Sequence, residues 1–202
     1  MFFCSPAEVS DGTGGPNHRR LAYFSEVAHS APTTDRRGMD LIVIAGAPGA
    51  GKSTLGLALA RSLGSPFLEF SVLRQPHLDP TWSNASPVEH EMAWESLQCV
   101  VRNYVKYGYR DVVVTDLRDE RVRQVPEVFG DLEYRIVTLA LANDSELRRR
   151  VGARREGFVD VDAAVAWNAA VRARPVLPRE AKIEVDGRSV EELLETIRRV
   201  AV

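Results

Sequence analysis

Leu41-Ile42-Val43-Ile44-Ala45-Gly46-Ala47-Pro48-Gly49-Ala50-Gly51-Lys52-Ser53-Thr54 is the stretch on which the reading of this chain turns. Leu41 to Ala45 are all apolar and rich in β-branched residues, the signature of a strand buried on both faces. From Gly51 to Leu63 the apolar residues Leu55, Ala58, Leu59 and Leu63 recur at helical spacing. Between strand and helix, Gly46 to Ser53 fits G-x-x-x-x-G-K-[ST]. The spacing has a physical reason. Gly46, Gly49 and Gly51 let the backbone curl so that successive N–H groups point inward at an anion. The start of the helix adds its partial positive charge. Lys52 can then reach the β- and γ-phosphates of a bound nucleotide, and the Ser53 hydroxyl can hold Mg²⁺. Thr54 can assist at the α-phosphate. Gly46, Ala47, Pro48, Gly49, Ala50, Gly51, Lys52, Ser53 and Thr54 are the candidate nucleotide-binding residues.

Such a loop needs a carboxylate at the end of a neighbouring strand, to hold the water shell of the metal or to activate a nucleophile. Asp116 closes Val112-Val113-Val114-Thr115 and is the first candidate, for metal and for catalysis. Asp119, three residues on, and Glu69, near the end of a second strand at 67–70, are the others.

Arg148, Arg149, Arg150, Arg154 and Arg155 give five arginines in eight residues. Arg150 and Arg154 share one helical face. Guanidinium forks on a mobile segment can cover the charge of a moving phosphoryl group and exclude water. Arg150 and Arg154 are therefore candidate catalytic residues, with Gly152 and Gly157 as hinges. Arg148 and Arg149 read as a solvated face. Arg74 and Arg118 follow strands at the carboxyl edge of the sheet, where open α/β folds bind ligands. With Glu69 they are candidate substrate contacts, the arginines for an anionic acceptor such as a phosphate or a carboxylate. His77 and His90 read as ordinary polar residues, Trp94 and Trp167 as packing residues, and Trp82 as a residue able to stack on a substrate ring.

Strand and helix patterns alternate from Met39 onward. A loop covers 71–86. Ser86-Pro87-Val88-Glu89 opens a long helix as a capping box with Pro at the first helical position. A helix over about 120–129, a strand at Tyr134–Ala140, a helix capped at Asn143, a helix over Asp160–Ala173, a strand at Ile183–Val185 and a helix opened by Ser189-Val190-Glu191-Glu192 follow. The alternation predicts a doubly wound α/β domain with a parallel sheet covered on both faces. Residues 1 to about 38 are dense in Gly, Pro, Ser and Thr and read as a flexible extension. A short helix around Leu21–Ala28 is the other reading. Met39 is a candidate true start, which the intact mass of natively expressed protein tests.

The composition sets bounds. The 202 residues carry 26 Lys+Arg against 28 Asp+Glu, a net charge of −2, with 45% hydrophobic residues. That excludes wholesale disorder and gives no global drive toward nucleic acid or anionic membrane. Cys4 and Cys99 give no disulfide framework and no zinc cluster, and free thiols suit a reducing compartment. No apolar run approaches the roughly 20 residues that span a bilayer, and no secretory signal is visible. A cytoplasmic protein is expected.

The strand with Gly46–Ser53, the Val112–Asp116 strand with Arg118, and Leu147-x-x-Arg150-x-x-x-Arg154 together resemble the small P-loop kinases, the group of nucleoside-monophosphate, shikimate and gluconate kinases. The stretch Ala93–Asp116 also resembles AAA-family ATPases built on that fold. The resemblance covers 40–202. It implies a three-layer P-loop NTPase fold over 39–202: a five-stranded parallel sheet in order 2-3-1-4-5, helices on both faces and a small Arg-rich lid at about 143–175. It also implies ATP with Mg²⁺, an acceptor site between the second strand and the long helix, and the adenine near Asp186–Arg188. Ser71-Val72-Leu73-Arg74 resembles the Gly-Asp-Leu-Leu-Arg stretch of adenylate kinases without its Gly-Asp. Glu69-Phe70-Ser71 stands where shikimate kinase has paired aspartates and gluconate kinase its own Gly-Asp, so neither substrate transfers.

The expected activity is transfer of the ATP γ-phosphoryl group to a small-molecule acceptor, a nucleoside, nucleotide or hydroxylated metabolite, by a monomer or homodimer. No nucleic-acid or membrane partner is expected. A nucleotide-binding regulatory switch without an acceptor is the alternative. A kinase of nucleic-acid 5′ ends is a third reading, against which the acidic balance argues.

Overall fold

The computed structural model describes residues 38–74, 86–155 and 157–201, with the backbone alone at residue 201. The extension expected over 1–38, apart from Gly38, falls outside these, as do His77 and Trp82. A five-stranded parallel sheet of β1 (Leu41–Gly46), β2 (Phe67–Glu69), β3 (Val112–Thr115), β4 (Tyr134–Ala140) and β5 (Glu180–Glu184) has the order β2-β3-β1-β4-β5. The expected topology is the observed one. Strand β1 is central and buried throughout. Its Ile44 lies beside Thr115 of β3 and Val137 of β4.

Alternation along the strands feeds two cores. Ile42, Ile44, Val113, Val137 and Leu139 pack with Leu55 and Leu59 of α1 (Lys52–Leu63), Leu147 and Val151 of α5 (Asp144–Gly152) and Ile197 of α7 (Val190–Ala201). Leu41, Val43, Val112, Val114 and Ile136 pack with Trp94, Leu97 and Val101 of α3 (Pro87–Lys106) and Val122 and Val125 of α4 (Asp119–Val128). Burying such an aliphatic side chain contributes roughly 1.5–3 kcal/mol. Helix α1 lies close on the sheet, since a Cβ at Gly56 would meet Thr115 Cγ2 at 2.4 Å.

The caps fall where the sequence puts them. Ser86 and Glu89 form the capping box of α3, and Asn143 Oδ1 accepts from Ser145 N and Glu146 N at the start of α5. Asp160 caps α6 (Val161–Ala173), and Ser189 with Glu192 caps α7. Helices α5 and α6 pack on each other.

Three readings are corrected. Phe70 does not end β2; it opens a short helix, α2 (Phe70–Arg74), and its ring packs edge-on against Trp94 at 6.4 Å. This also replaces the first part of the loop expected over 71–86. Asp111 does not open β3: its φ of 54° is left-handed, off the extended path of a strand, and its Oδ1 accepts from Met39 N. The last strand begins at Glu180, not at Ile183. Its polar start is hidden from any hydrophobicity pattern because Glu180 is neutralised in place. Its buried carboxylate accepts from Arg174 Nη1 and Nη2, Leu177 N and the Thr138 hydroxyl.

Candidate phosphate-binding site

Strand β1 runs straight into the loop. At Gly46 φ is 134°, and a Cβ there would stand 2.4 Å from the Leu139 carbonyl oxygen. At Gly49 φ is 88°, and a Cβ would stand 2.8 Å from both Leu147 Cδ1 and Val151 Cγ2 of α5. Both positions demand glycine for conformation and for space. Helix α1 begins after Gly51, which is left-handed at φ 95° and supplies no side-chain cap. The first N–H groups of α1 thus face the loop without a capping side chain, the electrostatic setting of an anion site.

Lys52 is 9% exposed and curls back to donate from Nζ to the Ala47 carbonyl at 3.1 Å. Burial brings its pKa down to about 8; Arg154 adds to the fall, while Asp116 and Glu69 oppose it. The ammonium therefore sits in a poorly solvated place, where phosphate oxygens would replace lost water. Asp116 is half-buried just past β3, with φ 67° in the left-handed region. Burial pushes its carboxyl above the usual carboxylate range, and Glu69 adds to that; Lys52, Arg74 and the Ser71 hydroxyl pull the other way.

The Ser53 hydroxyl donates to Glu69 Oε1 at 2.5 Å. Glu69 lies beside Thr115 in the sheet register, and Thr115 Oγ1 is buried with no hydrogen-bond partner among the described residues. Asp119 is drawn elsewhere: its two oxygens take Arg123 Nε and Arg174 Nε, each at 2.8 Å. The carboxylates at the loop are Asp116 and Glu69. Together with Ser53 they offer only hard oxygen donors, which fits Mg²⁺ and not a thiolate- or imidazole-seeking metal.

A cavity of about 300 Å³ lies over the loop, bounded by Gly51, Thr54, Arg150, Arg154, Val185 and Arg188. It brings together loop residues, both candidate arginines of α5 and its continuation, and the segment after β5. Arg150 Nε donates to Glu146 Oε1 at 2.7 Å, and Arg149 grips the same carboxylate through Nε and Nη2. Those hydrogen bonds, Arg149 first, hold Glu146 down at about 2. Arg148 is paired with Asp162 at 2.7 Å, on the outside.

Arg74 lies within electrostatic reach of both Arg118 and Asp116. Arg74 is held below its ordinary value by burial and by the charge of Arg118, with Asp116 opposing. Their neighbour His90, read from sequence as an ordinary polar residue, is pushed down by burial and by Arg74, Arg118 and Arg121. Glu146, which the sequence places as a partner of a solvated arginine face, pairs with Arg149 and also orients Arg150. Asp186, named only for its place near the adenine, anchors α5: its carboxylate accepts from Ala142 N and Asn143 N.

No protein-family model matches the chain, and no curated protein matches it in sequence. Solved structures do match in shape. A gluconokinase from Sinorhizobium meliloti aligns over 82% of this chain and 95% of its own, with a TM-score of 0.58 and 20% identity. The fold is that of the small P-loop kinases. Shikimate kinase from Acinetobacter baumannii, solved with shikimate, shares the P-loop kinase fold over 79% of this chain and 91% of its own (TM-score 0.54, 21% identity). The tunicamycin resistance protein of Deinococcus radiodurans aligns over 82% of this chain and 97% of its own (TM-score 0.60, 18% identity). At these identities the likeness is one of P-loop kinase fold. Among the described residues no helix is long and apolar enough to cross a membrane.

Proposed function

We propose that the protein is an ATP-dependent phosphotransferase acting on a small hydroxyl-bearing molecule. The observation that carries the reading is the convergence of the glycine loop, buried Lys52, the Ser53–Glu69 pair and Asp116 at the carboxyl edge of the sheet, under a cavity edged by Arg150 and Arg154.

The loop N–H groups and Lys52 bind the β- and γ-phosphates. The base lies toward Val185 and Arg188. Ser53, with Glu69 and Asp116 at its water shell, would hold Mg²⁺, which neutralises phosphate charge when bound. The acceptor hydroxyl approaches from the Arg74 and Arg118 side. Its oxygen attacks the γ-phosphorus while its proton passes to the Asp116 carboxylate. The bond from phosphorus to the β–γ bridging oxygen breaks, and ADP leaves. An upward-shifted carboxylate at Asp116 suits a general base. Arg150 and Arg154, on a lid formed by α5 and α6 over about 143–175, cover the charge on the transferred oxygens and keep water out.

An ADP-release assay across nucleosides, nucleotides, sugars and hydroxy acids tests this. Acceptor-stimulated turnover that drops by a factor of about 10² in Lys52→Ala supports it. Tight ATP binding with turnover indifferent to every acceptor favours the regulatory-switch reading.

A further inference from the structure

Asp116 and Asp119 both follow β3, and only Asp116 stands at the loop. Asp119, in the first turn of α4, gives its two oxygens to Arg174 Nε and Arg123 Nε, each at 2.8 Å. Arg174 is a fixed anchor. It is the C-cap of α6, its side chain is buried, and its Nη1 and Nη2 donate to Glu180 of β5. Lys182 of the same strand donates to the carbonyls of Val171, Arg172 and Arg174, so the last turn of α6 is stitched to the sheet. The Asn168 amide, also in α6, pairs with both N and O of Leu141 just past β4. The start of α4 is thereby tied, through Asp119, to a group that is itself held from several sides.

This leaves a short link between two fixed ends. Thr115 closes β3, fully buried and in register with Ile44 and Glu69. Only Asp116, Leu117 and Arg118 separate it from Asp119, and Leu117 is itself buried. The chain makes the crossing with Asp116 at φ 67°, a region that residues with a Cβ adopt rarely, aspartate more readily than most. Such a conformation persists where the surroundings over-determine it. It also decides where the carboxylate goes. The Thr115 side chain faces α1, since its Cγ2 is what a Cβ at Gly56 would meet. Were the strand to continue extended, residue 116 would turn its side chain to the opposite face of the sheet. The left-handed step keeps Asp116 in the company of Lys52 and Glu69 instead.

We propose that Asp119 is a positioning residue: its ion pair with Arg174 fixes the start of α4, and that fixed end holds Asp116 in the left-handed conformation that presents its carboxylate at the loop. This deepens the phosphotransferase reading and rests on it for Asp116 as the proton acceptor. A base must lie within hydrogen-bond reach of the hydroxyl it serves, so a base on a slack link loses rate even when nucleotide binding is intact.

The test reads the backbone at residue 116 before it reads turnover. At a left-handed position glycine is more stable than alanine, and at an ordinary position the order reverses. Urea unfolding of the full-length protein is measured for Asp116→Gly and Asp116→Ala, each with and without Asp119→Ala. The expected result is a higher midpoint for Asp116→Gly than for Asp116→Ala while Asp119 is present, and a gap that closes or reverses once it is replaced. Asp119→Asn, which keeps the shape and one acceptor oxygen, takes the place of Asp119→Ala if that variant does not fold. No gap at all, or a gap of the same size in both backgrounds, overturns the proposal, because an ion pair that merely stabilises α4 lowers both midpoints alike.

Turnover supplies the second reading. Asp119→Ala is expected to lower kcat by about tenfold or more, with KM for magnesium ATP within about twofold, and to have no further effect in Asp116→Asn. Equal losses with and without the Asp116 carboxylate overturn the positioning role. A wild-type protein that binds nucleotide and turns over no acceptor fails the phosphotransferase reading, and the urea midpoints still decide whether Asp119 holds residue 116.

Discussion

Ser53 Oγ lies 2.5 Å from Glu69 Oε1, joining the first turn of α1 to the end of β2. A serine at the start of a phosphate-loop helix and a strand-end carboxylate together make half of a hard-cation site. Glu69→Gln removes the charge while keeping shape. The magnesium concentration needed for half-maximal nucleotide binding is expected to rise by about tenfold. A magnesium titration by calorimetry, wild type against Glu69→Gln, reads this; identical curves contradict it.

Lys52 gives the protein a pH signature. Its pKa falls from the ordinary lysine value of 10.5 to about 8 in the folded chain. Between these two values the unfolded chain binds more protons than the folded one, so stability rises with pH across that window. Wild type should gain on the order of 3 kcal/mol relative to Lys52→Met as pH climbs through it. Urea unfolding of both proteins at pH 7.5 and 10 measures the difference. Parallel behaviour of the two would place Lys52 in water instead.

The loop glycines differ in what they forbid. Gly49→Ala adds a methyl 2.8 Å from Leu147 and Val151 at a φ of 88°. It should cost about 1–3 kcal/mol in stability and weaken nucleotide binding as well. Gly64 has φ 65° with nothing within 4 Å of a Cβ. Gly64→Ala should cost about 1 kcal/mol and leave nucleotide affinity alone. Thermal melts with and without magnesium nucleotide distinguish the pair.

The arginines of the α5 region are not equivalent. Arg154 lies close enough to Lys52 to depress its pKa, whereas Arg148 is half-exposed and paired with Asp162, itself 85% exposed. Arg154→Ala is expected to lower turnover by about 10²-fold, and Arg148→Ala to leave it within about twofold. Equal losses from both would mean a general effect of surface charge.

Arg174 tests the polar lock behind the site. Its side chain is 6% exposed, and its partner Glu180 has a side chain 0% exposed. Burial alone would push Glu180 up, but Arg174, the Leu177 N–H and the Thr138 hydroxyl outweigh it and hold the carboxyl below its usual range. A lowered carboxyl contributes stability above its unfolded pKa that is lost on acidification. Arg174→Ala strands that carboxylate and should cost about 3–5 kcal/mol at neutral pH. Chemical denaturation checks it, and Arg174→Ala combined with Glu180→Gln should recover part of the loss.

Much of this was legible in the sequence because the physics was local. The run from Leu41 to Thr54 contains strand, glycines, lysine and helix in one unbroken stretch, so the loop and its helix could be read without tertiary information. Caps at Ser86, Asn143 and Ser189 announced their helices for the same reason. What escaped depends on distant partners. The strand from Glu180 is polar because Arg174 and Thr138 neutralise it from elsewhere, and Phe70 is helical because Trp94 receives its ring. His90 is faced by Arg74 of α2 and by Arg118, Glu120 and Arg121 at the start of α4, and no spacing along the chain records that.

The loop around Pro48 is expected to seat a nucleoside triphosphate on its backbone N–H groups. Isothermal titration of magnesium ATP into folded full-length protein measures this directly. Saturable one-to-one heat that weakens by about 10²-fold in Lys52→Ala is the expected result. A flat titration with wild-type protein shown to be folded by circular dichroism would contradict it.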